Sequence, residues 1–311
     1  MSTLSKFDFS SALFNFLDSS FSTFHTVKNL RNLLLSAGFI ELSEKAAWKL
    51  SPGDCAFVIR NQSSILAFRQ GDFSTVSPSF RIALAHTDSP GLKLKCHAAE
   101  QCSSGLRIPV ESYGGLINSS WLDRPLGVAG RITLLDSEET EPQLVVSDRA
   151  LAVIPNPAIH MLNSINDGFK YKPQTHLAAL FGEAQLKDLY YELLEDKEAA
   201  EKELVAELYL YDTEKACHSG IKNDMILAPK LDNLLSCFAA AMAIKESKTQ
   251  THTQVMFLAD NEEVGSNTGQ GADSAFLRDV LSRLMPKDSC REEFLRALAA
   301  SKMISADAAH A

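Results

Sequence analysis

Hydrophobic and polar positions alternate along this chain in two different rhythms. Near the N-terminus, Val27, Leu30, Leu33 and Leu34 recur at helical spacing behind Ser22 or Thr23, and Gly38 stands where a helix would stop. Short apolar runs follow, predicting strands over 56–60, 64–68 and 81–85; the last runs directly into His86-Thr87-Asp88-Ser89-Pro90. From about Lys93 to Tyr211 the pattern changes. Strands are predicted over 130–135, 143–147 and 205–211, with a Gly114-Gly115 pair and a charged helical stretch over 183–203. Beyond it, Leu231-Asp232-Asn233 opens an alanine- and leucine-rich helix, and strands are predicted over 255–259 and 303–306. Apolar strands alternating with helices at both ends imply one α/β domain, a mixed sheet flanked by helices, interrupted by a β-rich insertion. The expected division is 1–92 and 223–311 for the outer domain and 93–222 for the insertion.

Composition narrows the class. A chain of 311 residues with 45% hydrophobic content can bury a large core. Its N-terminus lacks a basic region followed by an apolar stretch, and its longest near-apolar run, 234–244, is too short to span a bilayer. The six cysteines form no C-x-x-C pair, which argues against a disulfide framework and fits a reducing, cytoplasmic setting. A net charge of -9 and a pI near 5.4 disfavour nucleic acid and anionic lipid as partners, because no basic run is available to neutralise phosphates.

The candidate chemistry centres on LADNEEVGSNTGQGA at 258–272, where Asp260, Glu262 and Glu263 crowd the end of a predicted buried strand. A solvated turn could hold these charges; so could a site in which one carboxylate binds a metal and its neighbour moves a proton. His86 with Asp88, Asp232, and Asp307 also stand just past predicted strands or at a helix start. Each has an innocent reading: an edge histidine, a turn former before Ser-Pro, a helix N-cap, a terminal cap. In open α/β sheets, however, ligands bind outside the carboxyl ends of the strands, so residues distant in sequence converge there. One imidazole and several carboxylates suit zinc, cobalt or manganese, and two such ions about 3.5–4 Å apart can share a water and polarise a carbonyl. No H-E-x-x-H, G-x-S-x-G or Walker A motif competes with this reading.

Seven stretches carry a resemblance to a known family: ALAHTDSPGLKLK at 83–95, ESYGG at 111–115, WLDRPLGVAGRI at 121–132, IPNPAIHMLNSIND at 154–167, APKLDNLLSCF at 228–238, DNEEVGSNTGQGA at 260–272 and ISADAAHA at 304–311. In this order they resemble the aspartyl aminopeptidase family of zinc metallopeptidases. The resemblance implies two divalent metal ions, zinc with cobalt or manganese as alternatives. It implies His86, Glu263 and Asp307 as metal ligands, Asp232 as the bridging ligand, Asp88 as the support behind His86, and Glu262 as general base. It further implies that His160 reaches a neighbouring subunit's active site, within a homo-oligomer built on dimers such as a dodecamer, and that the substrate is a peptide with a free, often acidic, N-terminal residue. His310 is expected to be structural. The alternatives kept open are a related dipeptidase or deacylase, and a catalytically impaired assembly subunit. The last follows because the resembling family continues well past the position of Ala311 with a further histidine ligand, so this chain alone is expected to hold at most one metal firmly.

Overall fold

The structure, a computed structural model, describes residues 6–135 and 141–309; His310 lies outside the described residues. The chain forms two compact units, Met1–Ser89 with Ala216–Ala311, and Pro90–Lys215. The cuts precede those expected at 92 and 222. Gly91–Leu94 pairs with Val110–Tyr113 and Leu204–Asp212, and so belongs to the middle unit. The short hairpin of Cys217–Ser219 and Met225–Leu227 belongs to the outer one.

The outer unit is built on a six-stranded mixed sheet in the order Ile40–Glu41, Cys55–Arg60, Ser64–Arg69, Thr253–Ala259, Phe80–His86, Lys302–Ser305. The last three strands run parallel to one another, so their carboxyl ends lie on one edge. The central strands are buried on both faces, which explains why they read as nearly continuous apolar runs. Met256 and Leu258 pack with Leu30 and Leu34 of the helix Thr23–Ser36 and Phe238 of the helix Leu231–Glu246. Val255 and Phe257 point the other way, towards Phe276, Val280 and Phe294 of the helices Phe276–Arg283 and Arg291–Ala299. The two-residue alternation of the strand thus feeds two cores. Thr23–Ser36 ends as its sequence suggests: Gly38 takes φ +84°, Phe39 N–H donates to Leu34 O at 3.0 Å and Gly38 N–H to Leu35 O at 3.0 Å.

The middle unit is β-rich. A five-stranded antiparallel sheet orders Gln143–Val146, Leu126–Leu134, Leu204–Asp212, Gly91–Leu94 and Val110–Tyr113, beside a three-stranded sheet of Ala179–Leu180, Gly105–Ile108 and Glu100–Cys102. The long pair depends on a glycine: a Cβ at Gly130 would lie 2.0 Å from the Glu207 carbonyl oxygen. The charged stretch 183–203 is not one helix. It holds a helix over Leu186–Leu193 and a separate 3-10 turn over Glu198–Glu201, because the chain turns extended at Leu194.

Candidate metal centre

Each candidate residue of the outer unit stands where the parallel strands end. His86 is the last residue of Phe80–His86 and pairs in register with Ala259, so the turn carrying Glu262 and Glu263 starts beside it. Asp307 follows Lys302–Ser305, held in place by Ala306 N–H donating to Leu84 O at 2.8 Å. Asp232 lies at the start of Leu231–Glu246, but it is not the N-cap expected of it. Lys230 occupies that position with φ +59°, and Asp232 itself is extended, with φ -83° and ψ 110°, its carboxylate lying beside His86 Nε2. The Asp232–Asn233 peptide is cis.

Asp88 joins these pieces. Its carboxylate is buried, with Oδ1 accepting the Glu262 N–H at 3.2 Å and Oδ2 the Glu263 N–H at 3.1 Å. His86 Nδ1 lies 3.1 Å from the Asp88 carbonyl oxygen and 3.3 Å from its Oδ1. With acceptors on that side, Nδ1 carries a proton and Nε2 is the free lone pair. What Nε2 meets is more acceptors: Asp232 Oδ1 at 3.3 Å, Asp307 Oδ1 at 3.5 Å and Glu262 Oε2 at 3.8 Å. One imidazole nitrogen among three carboxylates at this range is a place for positive charge, a proton on Nε2 or a metal ion in its stead.

Without an ion, the carboxylates favour a proton on the imidazole. Burial works against a charged His86, yet the hydrogen bond and charge of Asp88, with Glu262 behind them, raise its pKa to about 9. Glu263 is pushed up to about 7 by burial and then by Asp88, and burial followed by Asp307 raises Asp232. Five carboxylates around one imidazole repel each other, and a proton on His86 offsets only part of that charge. A divalent ion would offset more. Two donor groups have the reach for it, His86 with Asp232 and Asp307, and His86 with Glu262 and Glu263; within each, the ligand atoms all lie within 4.8 Å of one another. Imidazole nitrogen with carboxylate oxygen is a donor set that zinc accepts.

His160 belongs to the middle unit, exposed on a turn between the exposed Ile159 and Met161, and is in neither donor group. Asp307 also caps locally, its Oδ1 accepting the Ala308 N–H at 2.8 Å. Two contacts went unread in the sequence. Asp260 is buried, and its pKa is raised to about 6 by burial and Asp88. Ser89 Oγ donates to Asp232 O at 2.7 Å, tying the His86 loop to the helix start. The buried strand preceding Asp260 was the available signal for the first; nothing local marks the second.

Residues 16–311 match the family described as "Aminopeptidase I zinc metalloprotease (M18)". A protein of Clostridium acetobutylicum described as "Probable M18 family aminopeptidase 2" is 38% identical, across 98% of this chain and 72% of its own length. The fold superposes on the Ape4 chain of an Ape4–Nbr1 complex with TM-score 0.87 and 34% identity, across 97% of this chain and 63% of that one. It also superposes on the Saccharomyces cerevisiae mApe1 dodecamer, with TM-score 0.78, 27% identity, and coverage of 97% and 72%. The chain therefore spans somewhat less than two thirds of Ape4 and about seven tenths of the clostridial protein. By the extent of these matches, the chain belongs to the M18 family of zinc aminopeptidases.

Proposed function

We propose that this protein acts as a zinc-dependent aminopeptidase, releasing N-terminal residues, acidic ones preferred, from peptides with a free N-terminus. The observation that carries this reading is the single imidazole nitrogen, His86 Nε2, facing the carboxylates of Asp232, Asp307 and Glu262 at 3.3–3.8 Å. In the proposed centre, His86, Asp232, Glu263 and Asp307 would hold two ions, with Asp232 as the shared ligand; the carboxylates gathered around His86 in two donor groups are what supports a centre here. Bound zinc supplies Lewis-acid polarisation of a carbonyl and acidifies a water. The protein's part is to orient and to move a proton. Asp88 keeps His86 Nδ1 protonated, which leaves Nε2 as a ligand atom. Glu262 takes a proton from the attacking water and returns it to the departing amine.

The division of labour between the two glutamates follows their surroundings. A pKa near 7 would suit a base as well as a ligand, but Glu263 is the more buried and more crowded of the two. A cation beside it would keep it ionised. Glu262 has its side chain about half exposed. Glu262→Gln is expected to lose about 10²–10⁴ in turnover with metal content near normal. Glu263→Gln is expected to lose metal, and equal metal loss in both would reject the assignment. Peptides with blocked N-termini should not be cleaved; turnover of blocked substrates would point to a deacylase instead.

We further propose a dimer-based homo-oligomer, in which the middle unit mediates assembly and His160 serves a neighbouring active site. The dodecameric state of the mApe1 relative supports this. A cytoplasmic location fits the acidic charge and the free cysteines. Among the described residues no helix is long and apolar enough to cross a membrane.

A further inference from the structure

Asn233 follows Asp232 directly, and its side chain is fully buried. Its Nδ2 donates to the carbonyl oxygen of Ala306 at 2.9 Å, and Ala306 is the residue before Asp307. The N–H of the same Ala306 donates to Leu84 O at 2.8 Å, two residues before His86. Ala306 is therefore held from two sides, by the strand that carries His86 and by the helix start that carries Asp232. The carbonyl that Asn233 grips belongs to the peptide plane joining Ala306 to Asp307. Turning that plane would swing the Asp307 carboxylate out of the cluster.

The other half of the carboxamide points the same way. Asn233 Oδ1 is buried and has no hydrogen-bond partner among the described residues. A buried acceptor without a partner destabilises a fold, and an apolar side chain of similar volume would fill the space without that penalty. A residue serving only to fill this space would not need an amide.

We propose that Asn233 is a positioning residue whose carboxamide sets the spacing between Asp232 and Asp307, and so the firmness with which their donor group holds zinc. This rests on the metal-centre reading above. Asn233 donates to backbone rather than to a ligand atom, so it acts as the groups that orient metal ligands do, where substitution weakens metal binding about 10–100-fold.

The test measures zinc release to excess chelator from the zinc-loaded protein, and urea unfolding of the zinc-free protein. The variants are Asn233→Leu, Asn233→Asp and, as a control, Leu234→Ala. Leu234 is equally buried on the same helix and packs in its core. Asn233→Leu and Asn233→Asp should release zinc about tenfold faster or more. Leu234→Ala should lower the urea midpoint while releasing zinc close to the wild-type rate. If Asn233→Leu does not fold, the near-isosteric Asn233→Asp decides. An added carboxylate would by its charge alone tighten a cation's binding, so faster release there reports the lost donor. Wild-type release rates in the Asn233 variants, or equal acceleration by Leu234→Ala, would overturn the proposal while leaving the metal centre standing. A wild-type protein that takes up no zinc would sink the metal-centre reading, and this inference with it.

Discussion

Replacing Asp88 by asparagine keeps its shape and removes its charge, which makes it the sharpest probe of how the centre is organised. The carboxylate faces the Glu262 N–H, the Glu263 N–H and His86 Nδ1. An asparagine can accept through only one oxygen. In the better of its two orientations it keeps the Glu262 and His86 contacts and turns an NH₂ group against the Glu263 N–H. That leaves donor facing donor, each unmet group costing about 1–3 kcal/mol if buried. Against this stands relief of repulsion, because Asp88 is the second cause, after burial, of the raised pKa values of both Asp260 and Glu263. The two effects oppose each other, so the zinc-free variant should lose less in urea unfolding than the unmet hydrogen bonds and the lost His86 pairing alone would cost. For zinc, with His86 already neutral, no such relief applies. Misplacing Glu263 and loosening the His86 ring should weaken its binding about 10–100-fold, or about 1.4–2.7 kcal/mol.

The pH of the assay decides whether this loss is visible. With the His86 pKa at about 9, a proton competes with the ion at neutral pH, and Asp88 is a main source of that raised value. Its removal lowers the His86 pKa and eases the competition, which masks part of the loss at pH 7. Competition against a chromophoric chelator should therefore be run at least a pH unit above the wild-type imidazole, where His86 is neutral in both proteins. A variant that binds zinc as tightly as wild type under those conditions would refute the organising role of Asp88.

Three shorter predictions follow from other parts of the molecule. His25 is buried beside Ser22 Oγ, 2.8 Å from its Nδ1, and burial, then Lys28 and Lys230, lower its pKa from 6.5 to about 4. The folded value lies below the unfolded one, so the stability tied to neutral His25 is complete above pH 6.5 and is lost as the pH falls through about 4, by up to about 3 kcal/mol. The stability–pH profile of His25→Asn should lack that loss, and parallel profiles would contradict it. Gly130→Ala would set a Cβ 2.0 Å from the Glu207 carbonyl oxygen and 3.0 Å from Leu208 Cα, backbone atoms that cannot step aside. It should destabilise the chain by about 3 kcal/mol or more, and an unchanged melting temperature would show that the strand pair has more freedom than its geometry implies. Mixing His160→Ala with Glu262→Gln should restore some peptidase turnover in hybrid assemblies if His160 acts across subunits; no recovery after demonstrated subunit exchange would exclude it.

How much of this was legible in the sequence depended on whether a signal was local. The strands 55–60, 64–69, 80–86 and 253–259 were readable because burial on both faces leaves apolar runs with polar residues only at their ends. The middle unit was harder. Glu100–Cys102, Gly105–Ile108 and Val110–Tyr113 are three or four residues long, too short for any period to show, and they are strands only because each finds a partner. The helix expected across 183–203 failed for a related reason: charged, helix-favouring residues persist through 194–197, but Leu193 and Leu194 are buried and the chain turns extended there.

The same distinction separates the parts of the centre. His86 ends a strand and Glu262 and Asp307 each follow one, and three parallel strands bring their carboxyl ends to one edge, so position in sequence was enough to make them candidates. Which partner each one faces is a different kind of fact. Asp88 grips a turn 174 and 175 residues away through two backbone N–H groups, and Asn233 reaches 73 residues to a carbonyl. A backbone group is the same at every residue, so side-chain-to-backbone contacts leave no complementary residue for a sequence to display. They depend on register instead: His86 must pair with Ala259 for Asp88 to lie under the glutamate turn. A slip of one residue along that pair would turn His86 to the opposite face of the sheet. Packing opposes that slip, because Phe80 and Ile82 lie in one core and Ala85 in the other, and they would exchange cores. The packing that selects the fold thereby also aligns the donors of the centre.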